Sequence, residues 1–256
     1  MKAIVVKARL HWGFSVKKPV QSAAQEPLLY PPPSTLIGAL ARGYASLKGL
    51  GERLQVKGSL YSPTVRVLDK VYYATIAIHD AAILHQDMNR NITGVYMRPI
   101  HRKDPKNWFG VQAMGKTLSI NGKCTILYIL REPDRDLALS AWSLLCLGSK
   151  ESLVSVNDVD YVDTEVLGEE GPYEVEFYVK ADTCVLPPTE TVHVLEFWDY
   201  QDINLYRLGF KPKIRLDRYY APYKPLKDTM MIAYVTGEGV PIRIGEHIAI
   251  IPKPPT

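Results

Sequence analysis

Three prolines run straight into a stretch of small and apolar residues, Tyr30-Pro-Pro-Pro-Ser-Thr-Leu-Ile-Gly-Ala-Leu-Ala-Arg-Gly-Tyr-Ala-Ser-Leu47. Proline fixes φ and has no N–H, so it cannot extend a helix backwards. The chain must therefore stay extended up to the prolines, and a helix over 34–48 must start near Ser34, whose hydroxyl suits an N-cap. Leu36, Leu40, Tyr44 and Leu47 repeat at helical spacing and predict one buried stripe. Glycine in a helix costs about 1 kcal/mol relative to alanine, so Gly38 and Gly43 predict a closely packed neighbour. The free N–H groups of the first turn and the positive end of the helix dipole suit a phosphate or a carboxylate. The same pattern also serves a proline-stopped core helix with an ordinary serine cap.

Around this helix the periodicities predict strands. Residues 2–16 alternate apolar and polar, 71–86 form a long β-branched and aromatic run bent near Asp80, and 122–131 form a third strand. Pro133 stops that strand, and Asp134 is placed to cap a helix over 135–147 with Leu137, Ala141, Leu144 and Leu145 on its inner face. Residues 160–167 read as a fourth strand and 173–180 as a fifth. The order strand, helix, strand, strand, helix, strand predicts an α+β fold with a ferredoxin-like, split βαβ core. Beyond residue 180, short runs punctuated by turns predict a smaller β-rich C-terminal region. The division expected is 1–167 for the core and 168–256 for the addition.

Between the second and third core strands, residues 87–121 read as a hairpin insertion with its tip at 102–107. With Gly122 and Lys123 it holds seven bases, Arg90, Arg98, Arg102, Lys103, Lys106, Lys116 and Lys123, against Asp87 and Asp104. Tyr96, Trp108 and Phe109 lie in the same arm, so it can both pair with phosphates and stack on bases. A solvated hairpin with the tryptophan buried at its root fits the same composition. Residues 207–227, with seven bases, one acid and Tyr219, Tyr220 and Tyr223 after Tyr206, form a second basic and aromatic stretch.

The formal net charge of +4 conceals a strong polarity. Residues 1–150 carry 21 Lys/Arg and 9 Asp/Glu, whereas 151–205 carry Lys180 alone against 14 acids. Such a basic first half attracts a polyanion, and the acidic segment is expected to face solvent or a basic partner protein, unless folding interleaves the two. Other classes are excluded more simply. No apolar run approaches the length of a membrane span, and the start, Met-Lys-Ala-Ile-Val-Val-Lys, reads as a strand rather than a signal peptide, which implies a cytoplasmic protein without membrane contact. Cys124, Cys146 and Cys184 are odd in number and set among apolar residues, which predicts reduced thiols. The six histidines form no ligand motif, so neither a metal nor a cofactor is expected.

The helix start Pro-Pro-Ser-Thr-Leu-Ile-Gly-Ala-Leu and a later Leu147-Gly-Ser-Lys-Glu-Ser-Leu-Val154 together resemble the CRISPR-associated Cas-five family, in its archaeal branch. That family belongs to the RAMP superfamily and supplies subunits of the Cascade surveillance complex in antiviral defence. The resemblance implies a ferredoxin-like (RRM-like) domain, a β-hairpin thumb at 87–121 and a β-rich C-terminal region. It further implies binding of the 5′ handle of the guide RNA, capping of a filament of backbone subunits, a neighbouring large subunit, and indirect contact with target DNA. Gly148, Ser149 and Lys150 match the family's glycine-containing loop, and Ser34, Thr35 and Gly38 its helix start. A glycine lets backbone N–H groups approach a phosphate and the lysine adds a point charge, though Gly148 also suits a helix C-cap. The candidate RNA-binding residues are these six with Arg42, Arg98, His101, Arg102, Lys103, Lys106, Trp108 and Lys116.

One branch of the family cuts its own precursor RNA. A metal-independent endoribonuclease needs a base for the 2′-hydroxyl and a cation for the phosphorane, and His101 beside Arg102 and Lys103, or His11 beside Trp12, supplies those types. No tyrosine, lysine and histidine are spaced in a recognisable catalytic pattern, so no catalytic residue is assigned and a non-catalytic binder is favoured. A protein-interaction scaffold is the third class that the charge pattern allows.

Overall fold

The computed structural model describes residues 1–19, 26–79, 85–91, 112–119, 121–149, 152–168, 171–209, 214–223 and 230–254. In chain order these form β1 (Lys2–Leu10), α1 (Pro33–Leu47), the short pair β2 (Leu54–Val56) and β3 (Ser59–Tyr61), α2 (Thr64–Leu68), β4 (Val71–Ile78), β5 (His85–Asn91), β6 (Gln112–Leu118), β7 (Lys123–Leu130), α3 (Arg135–Ala141) and β8 (Val154–Asp163). The main sheet has the order β4-β7-β1-β8, and each neighbouring pair is antiparallel. β5 and β6 form a separate two-stranded ladder inserted between β4 and β7, from His85 opposite Leu118 to Asn91 opposite Gln112.

β4 is buried along its whole length and β7 along all but its first residue. Burial on both faces explains why these strands are continuous apolar runs rather than alternating ones. One face packs against Leu36, Ile37, Leu40 and Leu137 from α1 and α3; the other receives Phe177, Tyr178, Phe197 and Tyr219 from the C-terminal third. Complete burial of each such side chain contributes about 1.5–3 kcal/mol. The main core thus draws on residues from both sides of position 167.

The C-terminal third consists of β9 (Glu165–Val166), β10 (Pro172–Val175), β11 (Val179–Lys180), β12 (Cys184–Val185), β13 (Val192–Trp198), β14 (Leu216–Pro222), β15 (Met231–Val235), β16 (Gly239–Ile244) and β17 (His247–Pro252). They make three small sheets, β10-β15-β12, β11-β14-β13 and β17-β16-β9. The strand expected over 173–180 is split between two of these sheets, because Phe177 and Tyr178 turn into the main core between β10 and β11. Glu176 lies between the imidazoles of His79 and His247, tying this region to β4.

Other expectations are corrected. β1 ends at Leu10 rather than residue 16, and the run over 71–86 is not one strand, since β4 ends at Ile78 and β5 starts at His85. α3 ends at Ala141 instead of 147, because the following chain doubles back: Val154 N–H donates to Leu145 O at 2.9 Å and Leu147 N–H to Ser152 O at 3.0 Å. Leu145 is consequently exposed, although Leu137, Ala141 and Leu144 are buried as expected, and Gly148 caps no helix. At the end of α1, Leu47 is exposed. The fourth strand begins at Val154, six residues before the expected start, where it pairs with Leu10.

The acidic segment is not left alone. Lys2 pairs with Asp163, Lys7 with Asp160, Arg243 with Glu165, Lys180 with Asp182, Arg215 with Asp199 and Arg218 with Glu196, so folding interleaves much of the charge polarity. In the second basic stretch, Tyr206 and Tyr219 are packed in the core, as in a loop of solvated charges with tyrosines beneath, whereas Tyr223 is exposed. Cys124, Cys146 and Cys184 are free thiols, and burial pushes Cys184 up to about 12. No helix among the described residues is long and apolar enough to cross a membrane.

Candidate nucleic-acid interface

The start of α1 differs from the expectation in an instructive way. Pro33 is the first helical residue and Pro32 the N-cap, with φ −68° and ψ 160°, and no side chain caps the helix. Proline is at home in the first turn because its missing N–H would have no partner there. The Pro32 carbonyl then accepts from Thr35 N–H at 2.9 Å and Leu36 N–H at 3.2 Å. Ser34 therefore sits two positions past the N-cap and cannot serve as it, and of the expected set of open N–H groups only that of Ser34 lacks an acceptor among the described residues.

Tyrosine hydroxyls hold this segment. Tyr178 donates to Pro31 O at 3.2 Å, Tyr128 to Leu36 O at 2.9 Å and Tyr30 to Pro222 O at 3.3 Å. Burial raises all three phenols far above their ordinary range, so they stay protonated as donors.

Gly148 has φ +88°, and a Cβ there would lie 2.8 Å from Val16 Cγ2, 3.1 Å from Ser15 O and 3.8 Å from Thr35 Cγ2. The glycine-containing loop is thus folded against the first turn of α1, through the segment that follows β1. Ser15 bridges Gly148, its amide donates to Ser152 Oγ at 3.0 Å, and its hydroxyl donates to Gly115 O at 2.8 Å on β6. Ser152 Oγ in turn shares a 2.9 Å hydrogen bond with Ser149 Oγ. Phe14 and Thr117 exchange two backbone bonds of 2.9 Å, which fix the end of β6 to the same segment.

Thr35, Gly148 and Ser149 are therefore brought together, with Lys116 on the neighbouring strand β6. Gly38 and Arg42 lie further along α1, on an open groove of about 770 Å³ that Cys146 and Leu153 also line. Arg42 Nη1 contacts Cys146 Sγ at 3.4 Å. Gly38 does not mark a close neighbour, since a Cβ there would meet nothing within 4 Å; Gly43 does, since a Cβ would clash with Ser143 Oγ and lie 2.6 Å from Ser140 O of α3. Arg98, His101, Arg102, Lys103, Lys106, Trp108 and Lys150 lie outside the described residues. Among the described residues no group of three or more His, Cys, Asp or Glu is placed to hold a metal ion. The segment 11–17 joins the helix start, the glycine loop and β6, and sequence reasoning misses it because its alternation continues that of β1; the Trp12-Gly13 pair is the available sign of a turn.

The CRISPR-associated protein Cas5 2 of Saccharolobus solfataricus is 32% identical over 222 residues, which cover 84% of this chain and 80% of that protein. The chain belongs to the CRISPR-associated Cas5 family. The resemblance read from 30–41 and 147–154 is thereby borne out, and the matched proteins come from an archaeon. Two further proteins of the same organism, CRISPR system aCascade subunit Cas5 1 and CRISPR-associated protein Cas5 3, are 28% and 29% identical over 192 residues, covering 75% of this chain and 77% of each. No protein-family model matches the chain. This Cas5-family chain also shares its fold with a CRISPR protein from Archaeoglobus fulgidus, at a TM-score of 0.64 and 18% identity over 99% of this chain and 100% of that one. A chain of a CRISPR RNA-guided surveillance complex superposes with a TM-score of 0.50 at 14% identity, over 92% of this chain and 93% of its own length.

Proposed function

We propose that this Cas5-family chain is a non-catalytic subunit of a Cascade surveillance complex, in which it holds the 5′ handle of the guide RNA and caps the filament of backbone subunits. The reading is carried by one observation: the glycine loop at Gly148 packs against Thr35 at the start of α1, so the two motifs of the family resemblance form one surface. The family supports it, since one relative is named an aCascade subunit. The order β4-β7-β1-β8, with α1 and α3 as the crossovers, supports a ferredoxin-like core over 1–167, with 168–256 as a β-rich region packed on it. The β5–β6 ladder, inserted between β4 and β7, supports a thumb over 87–121, and the basic residues Arg102, Lys103 and Lys106 of the same insertion are the proposed contacts to the RNA backbone. The large subunit is a further partner, target DNA is met through the guide, and such a complex works in the cytoplasm.

The test is binding of labelled CRISPR-repeat RNA by the full chain together with its backbone subunit, over a range of salt. Uncut RNA is expected, with affinity falling steeply as salt rises. Lys103→Ala combined with Lys106→Ala should lower the slope of log K against log salt by about 0.7 for each phosphate that is no longer neutralised. An unchanged slope would place the RNA away from the thumb, and cleavage at one site without metal would replace the binder with a nuclease.

A further inference from the structure

Trp12 is 76% exposed and holds φ +66°, a left-handed conformation that tryptophan rarely adopts. Two unfavourable features thus coincide in one residue, an indole left in water and a strained backbone. Firm anchors on both sides keep them in place. His11 N–H donates to Leu153 O at 2.8 Å, and two residues after Trp12 the buried Phe14 is locked to Thr117 by the reciprocal pair of bonds. Between them Gly13, at φ +72°, lies so close to Thr117 O that no Cβ fits. The indole therefore projects from a fixed point where β1, the end of β6 and the chain entering β8 meet.

The charges at the end of the strand that leads to it are arranged unusually. Arg9 stands directly opposite Lys123 across β1 and β7, both are exposed, and neither forms an ion pair among the described residues. Like charges facing each other across a ladder are unfavourable, and a bound anion relieves them. On the other side Arg9 faces Ser155, whose hydroxyl is hydrogen-bonded to His11 Nε2 at 2.5 Å, so Arg9, His11 and Lys123 share one end of the sheet. An exposed indole on the turn that follows β1, and an unneutralised cation pair at the end of that strand, supply the chemistries that the two halves of a nucleotide require. Trp12 and Arg9 would also suit a protein interface, but lysine is depleted there, so Lys123 facing Arg9 favours an anionic partner.

We infer that Trp12 is a stacking platform for an unpaired base of single-stranded RNA, with Arg9 and Lys123 holding an adjoining phosphate. This rests on the RNA-binding reading above and adds a site to it that none of the family-matched residues occupies.

The test uses the full chain with its backbone subunit and labelled single-stranded CRISPR-repeat RNA. Trp12→Ala is expected to weaken binding about tenfold while leaving the salt slope unchanged, because stacking releases no counterions. Trp12→Phe should keep most of the affinity, and Arg9→Ala with Lys123→Ala should weaken binding and lower the slope. Tryptophan fluorescence should be quenched by RNA in the wild type and less so in Trp12→Phe. The thermal midpoint of Trp12→Ala should not fall, since the indole is exposed. Wild-type affinity in Trp12→Ala would overturn the platform and leave the RNA-binding reading standing, as would a variant that binds RNA normally but fails to join the backbone subunit. Absence of RNA binding by the wild type at any salt would instead overturn the underlying reading, and the platform with it.

Discussion

The Tyr178 hydroxyl donates to the Pro31 carbonyl across 3.2 Å, so a side chain from the C-terminal third holds the approach to the N-terminal helix. Its ring meets Tyr30, Phe197 and Tyr219 edge-on, at centroid distances of 6.2, 5.5 and 5.6 Å. The Pro32 carbonyl is taken up by the first helical amides, but Pro31 O precedes the helix and lies in no strand, so the phenol supplies its donor. Tyr178→Phe keeps the packing but leaves Pro31 O unsatisfied, and should destabilise the chain by about 1–2 kcal/mol in urea unfolding. A stability equal to wild type would mean that Pro31 O gains nothing from the bond.

The two glycines of α1 should respond in opposite directions to the same change. Gly43→Ala forces a methyl into Ser143 Oγ and toward the Ser140 carbonyl, and should cost about 1–3 kcal/mol through overpacking. Gly38→Ala adds its methyl to open space and should stabilise by about 0.5–1 kcal/mol through helix propensity. Thermal unfolding of the two variants side by side checks both signs, and equal shifts would show that α1 and α3 are not as close as described.

Much of this contrast could not be read from the sequence, where Gly38 and Gly43 look alike. Legible were the runs whose environment is uniform, such as 71–78 and 123–130, and the α3 start, where Asp134 is followed by a helical pattern. Even the Pro-Pro-Pro segment announced α1 to within one residue; the cap differs because proline is accepted at the first helical position and moves Ser34 inward. The illegible parts depend on partners distant in sequence. Residues 145–154 leave the helix because their backbone closes on itself, and 173–180 splits because Phe177 and Tyr178 are drawn into a core built largely by the first half. Within the site the residue types at 34–38 and 148–149 were legible, but not the contact between them, nor the turn at Trp12 that sets an indole in solvent.

Acid should act on α3 through its cap. Asp134 accepts from Asp136 N–H at 3.0 Å and Leu137 N–H at 3.2 Å, and pairs with Lys70 at 2.6 Å. Burial by itself would raise this carboxyl, but the Lys70 hydrogen bond and the two amides outweigh it and hold the group below its ordinary value. A carboxylate with a lowered folded pKa stabilises fully above the unfolded value, about 3.9, and its contribution is lost as pH falls through the folded value. Asp134→Ala should therefore be less stable than wild type by about 1–2 kcal/mol at neutral pH, and the gap should narrow below about pH 4. A gap independent of pH down to about 2 would mean that the cap does not depend on the ionised carboxylate.

Gly148 offers the sharpest separation between folding and binding. Alanine there meets a backbone at φ +88° as well as Val16 and Ser15, so Gly148→Ala should destabilise by about 1–2 kcal/mol and push the loop away from Thr35. If the loop and the helix start form one RNA surface, affinity for the guide RNA should fall by about tenfold under conditions where the variant is still fully folded, since a displaced loop can no longer place its N–H groups on a phosphate. Thr35→Ser serves as the counterpart, because it removes only the methyl that faces Gly148 and keeps the hydroxyl. It should change stability by less than about 1 kcal/mol and leave RNA affinity close to wild type. Measuring urea unfolding and RNA binding on both variants then decides the matter: a destabilised but folded Gly148→Ala with unaltered affinity would make the glycine a folding requirement alone and remove the loop from the interface.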